Sequence, residues 1–191
     1  MVKVGIVGVG NIAAMFVQAV EYAKRRESLF GVIHEVIGGY RPRDIEIVYA
    51  VDVSQEKVGK DLSEAIFSYP NMIPKLVDIP RTGVIVRMGR VLDGVADHMI
   101  EDFRPADYPE PTLDEIVQEL RDHNVDVLVN LLPVGSAKAS RFYAEAAAKA
   151  GTSFVNCIPE FIASDPVYQK LFEHNGAVLL GDDIKGQLGS T

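Results

Sequence analysis

Cysteine occurs once, at Cys157, which excludes an intramolecular disulfide and any cysteine-cluster metal site. Basic residues are in deficit: Lys+Arg 19 against Asp+Glu 27 in 191 residues gives a formal net charge of -8. Neutralising nucleic-acid phosphates needs a basic face, so nucleic acid and anionic membrane surfaces are excluded as main partners. No apolar run approaches the ~20 residues that span a bilayer, and the chain runs into a strand pattern at Val2 without a signal-peptide pattern, so a cytoplasmic protein is expected. The four histidines, His34, His98, His123 and His174, show no metal-ligand spacing. A divalent cation held by carboxylates alone stays compatible with the sequence. Repeats, low-complexity tracts and flexible linkers are also lacking, which leaves residues 1–191 as one continuous unit.

What is present is apolar content of 48%, enough for a full core, and an alternation of strand and helix patterns. Strands are expected at Val2–Val7, Ile45–Val51, Val84–Arg87, Val125–Leu132, Thr152–Ile158 and Ala177–Leu180. Helices are expected at Ile12–Lys24, Ser54–Phe67 with Ser54 as its cap, Thr112–His123, Ala137–Ala150 ending in Gly151, and from Pro166 to Asn175. Thr112 with Glu115 three residues on reads as a capping box. Arg25–Arg43 reads as a long excursion and Asp102–Pro111 as a proline-rich loop. Alternation of this kind builds right-handed crossovers, and the fold class is α/β: a three-layer, Rossmann-like, doubly wound parallel sheet.

The first strand is followed at once by Gly8-Val9-Gly10-Asn11-Ile12-Ala13, the pattern G-x-G-x-x-A. Gly8 permits the tight turn, Gly10 a close backbone approach to a pyrophosphate, and Ala13 close packing of helix on sheet, so Gly8, Gly10, Asn11 and Ile12 are candidate cofactor contacts. The fingerprint next requires an acid at the end of the second strand, to accept hydrogen bonds from the adenosine ribose. Asp52 fills that place, farther along than the usual spacing because of the excursion. A carboxylate there favours NAD over NADP, an inference that Arg41 and Arg43 weaken. The loop Pro133-Val134-Gly135-Ser136 closes the most apolar strand, where ligands dock in open α/β sheets, so Asn130, Pro133 and Gly135 are further candidates; Ser136 is equally well a helix cap. At the other end, Leu179–Leu180 runs into a glycine-rich loop with Asp182, Asp183 and Lys185, the beginning of a second ligand site. Successive residues of an extended segment point to opposite sides, so Asp183 and Lys185 share one side, that of the site, and Asp182 faces away.

These residues resemble the NAD-dependent myo-inositol phosphate synthases, in the short actinobacterial and archaeal form. The resemblance lies in Gly5-Ile6-Val7-Gly8-Val9-Gly10-Asn11, Val51-Asp52-Val53, Lys57-Val58-Gly59-Lys60-Asp61-Leu62-Ser63, Leu132-Pro133-Val134-Gly135-Ser136, Phe154-Val155-Asn156, Phe161-Ile162-Ala163-Ser164-Asp165-Pro166 and Gly181-Asp182-Asp183-Ile184-Lys185. It implies that glucose 6-phosphate is oxidised at carbon 5 by NAD, enolised, closed by an internal aldol addition and reduced again, a net isomerisation to 1D-myo-inositol 3-phosphate that serves inositol and phospholipid biosynthesis. By the same resemblance Lys185 and Asp183 are catalytic candidates. Lys185 would stand beside a substrate phosphate or developing oxyanion, and Asp61, Tyr143, Asp183 and Gly186 would join the cofactor contacts. Gly186 departs from the serine common in the family. A homo-oligomer, a tetramer in the family, is implied, as is a further catalytic and assembly region that this chain does not contain. The alternatives are a stand-alone NAD-binding module without catalysis, or an NAD(P)-dependent dehydrogenase of the semialdehyde or homoserine type. Against the last, Cys157 has no histidine near it in sequence to activate a thiolate.

Overall fold

The computed structural model describes residues 1–25, 32–95, 99–100 and 103–187, apart from the side chains of Lys185 and Gln187. Among these, six strands pair in parallel: β1 (Val2–Val7), β2 (Ile45–Asp52), β3 (Arg87–Met88), β4 (Val127–Asn130), β5 (Ser153–Asn156) and β6 (Leu179–Leu180). Their order across the sheet is β3-β2-β1-β4-β5-β6. Strand order therefore reverses between β1 and β4, and in such sheets the crevice at the carboxyl ends beside that reversal is where ligands bind. The doubly wound α/β class read from the alternating pattern is the observed one.

Helices cover both faces. Ile6 and Ala50 point to one side, where α1 (Asn11–Lys24) and the short α2 (Leu62–Ala65) bury Ala13, Ala14, Val17, Leu62 and Ala65. Val7, Tyr49 and Val51 point to the other. There α3 (Leu113–Asp122), α4 (Ala137–Ala150) and α5 (Pro166–His174) contribute Ile116, Leu120, Ala144, Ala147 and Phe172. Alternate residues of a strand face opposite sides, so a strand buried on both faces must be apolar throughout, and the run from Val4 to Val7 is. Ala13, fully buried, lets α1 lie close on the sheet.

Helix ends follow local chemistry. The Thr112–Glu115 capping box is formed, with Thr112 N–H donating to Glu115 Oε2 at 2.7 Å. Asp165 caps α5 ahead of Pro166, and Gly151 ends α4 in a left-handed conformation.

The expected helix over 54–67 is corrected. Gly59 adopts φ +84, which ends any helix there, and residues 59–62 instead exchange backbone hydrogen bonds with 84–86, Gly59 N–H to Val86 C=O at 2.8 Å and Val86 N–H to Lys60 C=O at 2.9 Å. Only four residues, Leu62–Ala65, remain helical, capped by Asp61 rather than Ser54. The same pairing draws 84–86 out of the sheet, so β3 keeps only Arg87–Met88 beside β2. Arg41 and Arg43 flank the amino end of β2, in and just before a 3-10 turn at Pro42–Asp44. Asp52 lies at the opposite end, roughly 23 Å along the strand, so neither arginine stands beside Asp52 as expected of a residue bearing on NAD against NADP.

Asp61 is 4% exposed. It accepts from the Ser63 N–H at 2.9 Å and hydroxyl at 2.7 Å, the Thr82 N–H at 3.1 Å and hydroxyl at 2.8 Å, and the Gly83 N–H at 2.8 Å. Burial opposes its ionisation, but the bonds from Ser63 and Thr82 outweigh burial and hold the carboxyl well below the usual carboxylate range. A depressed carboxyl pKa stabilises the fold above the unfolded-state value and loses that stabilisation as pH falls through the folded one. Replacing Asp61 by Ala is expected to cost about 2 to 4 kcal/mol of stability at pH 7. In urea titrations the gap from the parent chain should narrow below about pH 4; a constant gap would contradict the assignment.

Candidate functional site

A cleft of about 290 Å³ opens at the carboxyl ends of β1, β2 and β4, lined by Gly8, Gly10, Asn11, Ile12, Asp52 and Pro133 among others. Gly8 sits at φ +88, with the Leu131 carbonyl 3.1 Å from where a Cβ would stand, so no other residue fits that turn without strain. Gly10 differs: a Cβ there would meet nothing within 4 Å. Protein packing does not demand glycine at this position. The absent side chain leaves open space over the start of α1.

Asp52 is 7% exposed. Its Oδ1 accepts from the N–H groups of Val53 and Ser54, both at 2.8 Å, and its Oδ2 from the Val9 N–H at 2.7 Å. A carboxylate has about four acceptor sites. Three are occupied by backbone N–H groups, and the Lys57 ammonium stands 4.0 Å from Oδ2.

The N-terminus of α1 has no capping side chain and no acid in its first turn, whereas α3, α4 and α5 are each capped from within the protein. For α4 the cap is not Ser136, whose buried hydroxyl finds no hydrogen-bond partner, but Asp93, accepting from Lys138 N–H at 2.7 Å and Ala139 N–H at 2.9 Å. The unpaired N–H groups at a helix start and the aligned peptide dipoles favour an anion, and at α1 they face the cleft. Gly8, Gly10, the open space and Asp52 together fit a dinucleotide.

Tyr143 also lines the cleft. Burial pushes its phenol pKa up, so it stays neutral, and its oxygen accepts the Arg90 N–H at 3.0 Å. The remaining candidates do not line the cleft. Asp61 is committed to Ser63, Thr82 and Gly83. Asn130 is fully buried, its Nδ2 donating to Ser140 Oγ at 3.0 Å and Asn156 Oδ1 at 2.9 Å. Gly135 is exposed in the loop before α4. Two cationic side chains of the lining, Lys57 and Arg90, and the polar Asn71 were not expected from the sequence. Lys57 lies in the stretch 57–63 that carries the family resemblance, but the expected helix over 54–67 would have left it an ordinary surface lysine.

The second loop differs from the extended segment expected of it. Asp183 has φ +59 and leads into the four-residue α6 (Ile184–Gln187), so alternation along a strand does not apply to 182–185. Asp183 Oδ1 accepts from Gly186 N–H at 3.2 Å, and the Asp183 carboxylate fills the space a side chain on residue 186 would need. A serine there would require the Asp183 carboxylate to swing aside. Asp182 accepts from Asn156 Nδ2 at 2.9 Å and from the N–H groups of Ile162 at 3.0 Å, Ala163 at 2.9 Å and Ser164 at 3.1 Å. Burial works against its charge, but these bonds hold its carboxyl below the usual range. The backbone of Lys185 lies in α6; its side chain is outside the described residues. Because all strands run parallel, the glycine turn after β1 and the loop after β6 sit on one edge of the sheet, three strand spacings or roughly 14 Å apart. Among the described residues, no group of three or more His, Cys, Asp or Glu side chains is placed to hold a metal ion, and no helix is long and apolar enough to cross a membrane.

Fold and cleft define a Rossmann-like α/β protein with a glycine-rich first turn. No family model matches the chain. Individual proteins do: it is 47% identical over 193 residues to inositol-3-phosphate synthase of Mycolicibacterium smegmatis and 46% identical over 195 residues to that of Corynebacterium glutamicum, in each case over 100% of this chain and 52% of the relative. Among solved structures, Ari2 superposes with a TM-score of 0.83 at 31% identity, covering 99% of this chain and 54% of that one. A myo-inositol-1-phosphate synthase-related protein from Thermotoga maritima superposes with 0.77 at 28%, covering 100% and 55%. The chain is thus a relative of the inositol-3-phosphate synthases and spans about half the length of the curated relatives it matches.

Replacing Asp182 by Ala removes four hydrogen bonds to a charged acceptor and is expected to destabilise the fold by about 2 to 4 kcal/mol. Amide hydrogen exchange should speed up at Ile162 to Ser164 before it does in β1; unchanged protection there would show that Asp182 does not hold this loop.

Proposed function

We propose that this chain is the cofactor-binding part of an NAD-dependent inositol-3-phosphate synthase, an enzyme that isomerises glucose 6-phosphate to 1D-myo-inositol 3-phosphate. The observation that carries the cofactor reading is the uncapped α1 N-terminus, opening with Gly10 into a cleft that Asp52 borders at the sheet's reversal point. Identity of 46–47% over this whole chain to proteins carrying the synthase name supports the reaction. NAD, when bound, supplies the hydride acceptor and donor.

In this reading the α1 N–H groups hold the diphosphate, and the Asp52 carboxylate takes a ribose hydroxyl. Asn11, Ile12, Pro133 and Tyr143 line the pocket around the dinucleotide. Asp61, Asn130, Gly135 and Gly186 act at one remove, by fixing the loops that surround the cleft. Lys185, on the same sheet edge, neutralises the substrate phosphate or a developing oxyanion, which in a water-excluded pocket is often the largest catalytic contribution. Asp183 orients the α6 turn that carries it. The remaining catalytic groups, the cytoplasmic setting and a homo-oligomeric assembly belong to the longer protein the relatives represent. Exposed apolar side chains at the β6 edge, Val178 at 57% and Leu180 at 53%, favour such a covering region over a self-sufficient binding module.

Asp52→Ala is expected to weaken NAD binding by roughly 1 to 3 kcal/mol, read by titration calorimetry; an unchanged Kd removes the ribose assignment. In a full-length enzyme carrying this sequence, Lys185→Ala should abolish formation of inositol phosphate from glucose 6-phosphate while leaving NAD affinity within twofold. Retained synthesis would refute the role of Lys185.

A further inference from the structure

The floor of the cleft holds a cation that the reading above leaves without a role. Lys57 is 1% exposed. Its Nζ donates to Asn71 Oδ1 at 3.0 Å, stands 4.0 Å from Asp52 Oδ2 and lies 5.6 Å from the centroid of the Phe103 ring. Both polar neighbours converge on one residue of the glycine turn: Asp52 Oδ2 accepts the Val9 N–H at 2.7 Å, and Asn71 Nδ2 donates to the Val9 C=O at 3.1 Å. Asn71 is itself fixed by a second bond, to the Ile66 C=O at 2.9 Å.

The peptide group is planar. Holding the Val9 N–H therefore fixes the plane between Gly8 and Val9, and holding the Val9 C=O fixes the plane between Val9 and Gly10. The N–H of that second plane belongs to Gly10, at the open start of α1. Two anchors joined by one ammonium thus set the direction of a donor that an anion in the cleft would use.

A purely architectural lysine is a poor explanation. Taking an ammonium out of water costs several kcal/mol unless its partners compensate, and an apolar side chain of similar length would fill the same space. Burial draws the Lys57 pKa down, opposed by the charge of Asp52.

We propose that Lys57 is a positioning residue for the diphosphate of a dinucleotide, acting through Asp52 and Asn71 to set the two peptide planes around Val9 before the ligand arrives. This rests on the dinucleotide reading of the cleft. The test is a double-mutant cycle on the 191-residue chain, with NAD as the probe in calorimetry and thermal melting as the control. Lys57→Met should raise the Kd for NAD at least tenfold with an undiminished Tm, and Lys57→Met combined with Asp52→Asn should bind within threefold of Asp52→Asn alone, because both cut one linkage.

If Lys57→Met does not fold, Asn71→Ala severs the linkage from its other side and carries the same two expectations for NAD affinity. Wild-type affinity in the folded single variant, or single effects that simply multiply in the double, overturns the positioning role. If the unsubstituted chain binds no NAD, the dinucleotide reading itself is lost, and the proposal with it.

Discussion

The hydrogen bond from the Val9 N–H to the Asp52 carboxylate is the contact on which the site depends. It exists because β1 and β2 pair in parallel with Val7 opposite Val51, which brings the glycine turn that follows β1 beside Asp52, the last residue of β2. The Gly8 N–H also donates to the Val51 C=O, at 3.0 Å, which starts the turn before the acid completes it. A buried carboxylate is tolerated only when its oxygens are satisfied. Three backbone N–H groups meet that requirement here without closing the side that borders the cleft.

The helix N-termini show a division of labour. Where a helix serves only packing, the protein supplies its own negative or polar cap: Asp61 for α2, Thr112 with Glu115 for α3, Asp93 for α4, Asp165 for α5. At α1 it supplies none. A helix start without a capping side chain carries roughly half a positive charge, and with Gly10 as its N-cap α1 forgoes a few tenths of a kcal/mol of capping stabilisation. The capped helices show that this chain has the means to avoid that loss. Bareness at the one helix start bordering the cleft is a local sacrifice of stability, of the kind that marks functional sites.

Features set by neighbouring residues were legible in the sequence, and those set by distant contacts were not. The capping box of α3, the span of α4 from Ala137 to Ala150 and the glycine turn each rest on residues within four positions of one another. The turn-rich path of 54–61 rests on hydrogen bonds to residues 84–86, more than twenty positions away, and no periodicity announces them. Lys57 owes its burial to that same path. The partners of Asp182 were hidden for a related reason: Asn156 and the 162–164 backbone come from other loops, and a left-handed residue at 183 broke the extended geometry assumed for 182–185. The acid at the end of β2 was found despite its unusual spacing because an insertion lengthens the connection without changing which strand ends are neighbours.

Asp182 also decides what the loop beyond β6 can do. With its carboxylate bonded to Asn156, Ile162, Ala163 and Ser164, it pins the start of α6 to the loop between β5 and α5, and Asn156 is in turn bonded to Asn130 at the end of β4. A continuous chain of hydrogen bonds, buried at Asn130 and half-buried at Asp182, thus runs along the carboxyl edge from β4, which borders the cleft, through β5 to the residue three places before Lys185. Reacting groups held on separate loops must keep their spacing to a fraction of an ångström for chemistry between cofactor and substrate to be efficient. On this sheet the linkage of Asn130, Asn156 and Asp182 ties the end of β4 to the loop beyond β6. That accounts for Asn130 and Asp182 being buried in hydrogen bonds with protein groups while the residues they hold in place face outward.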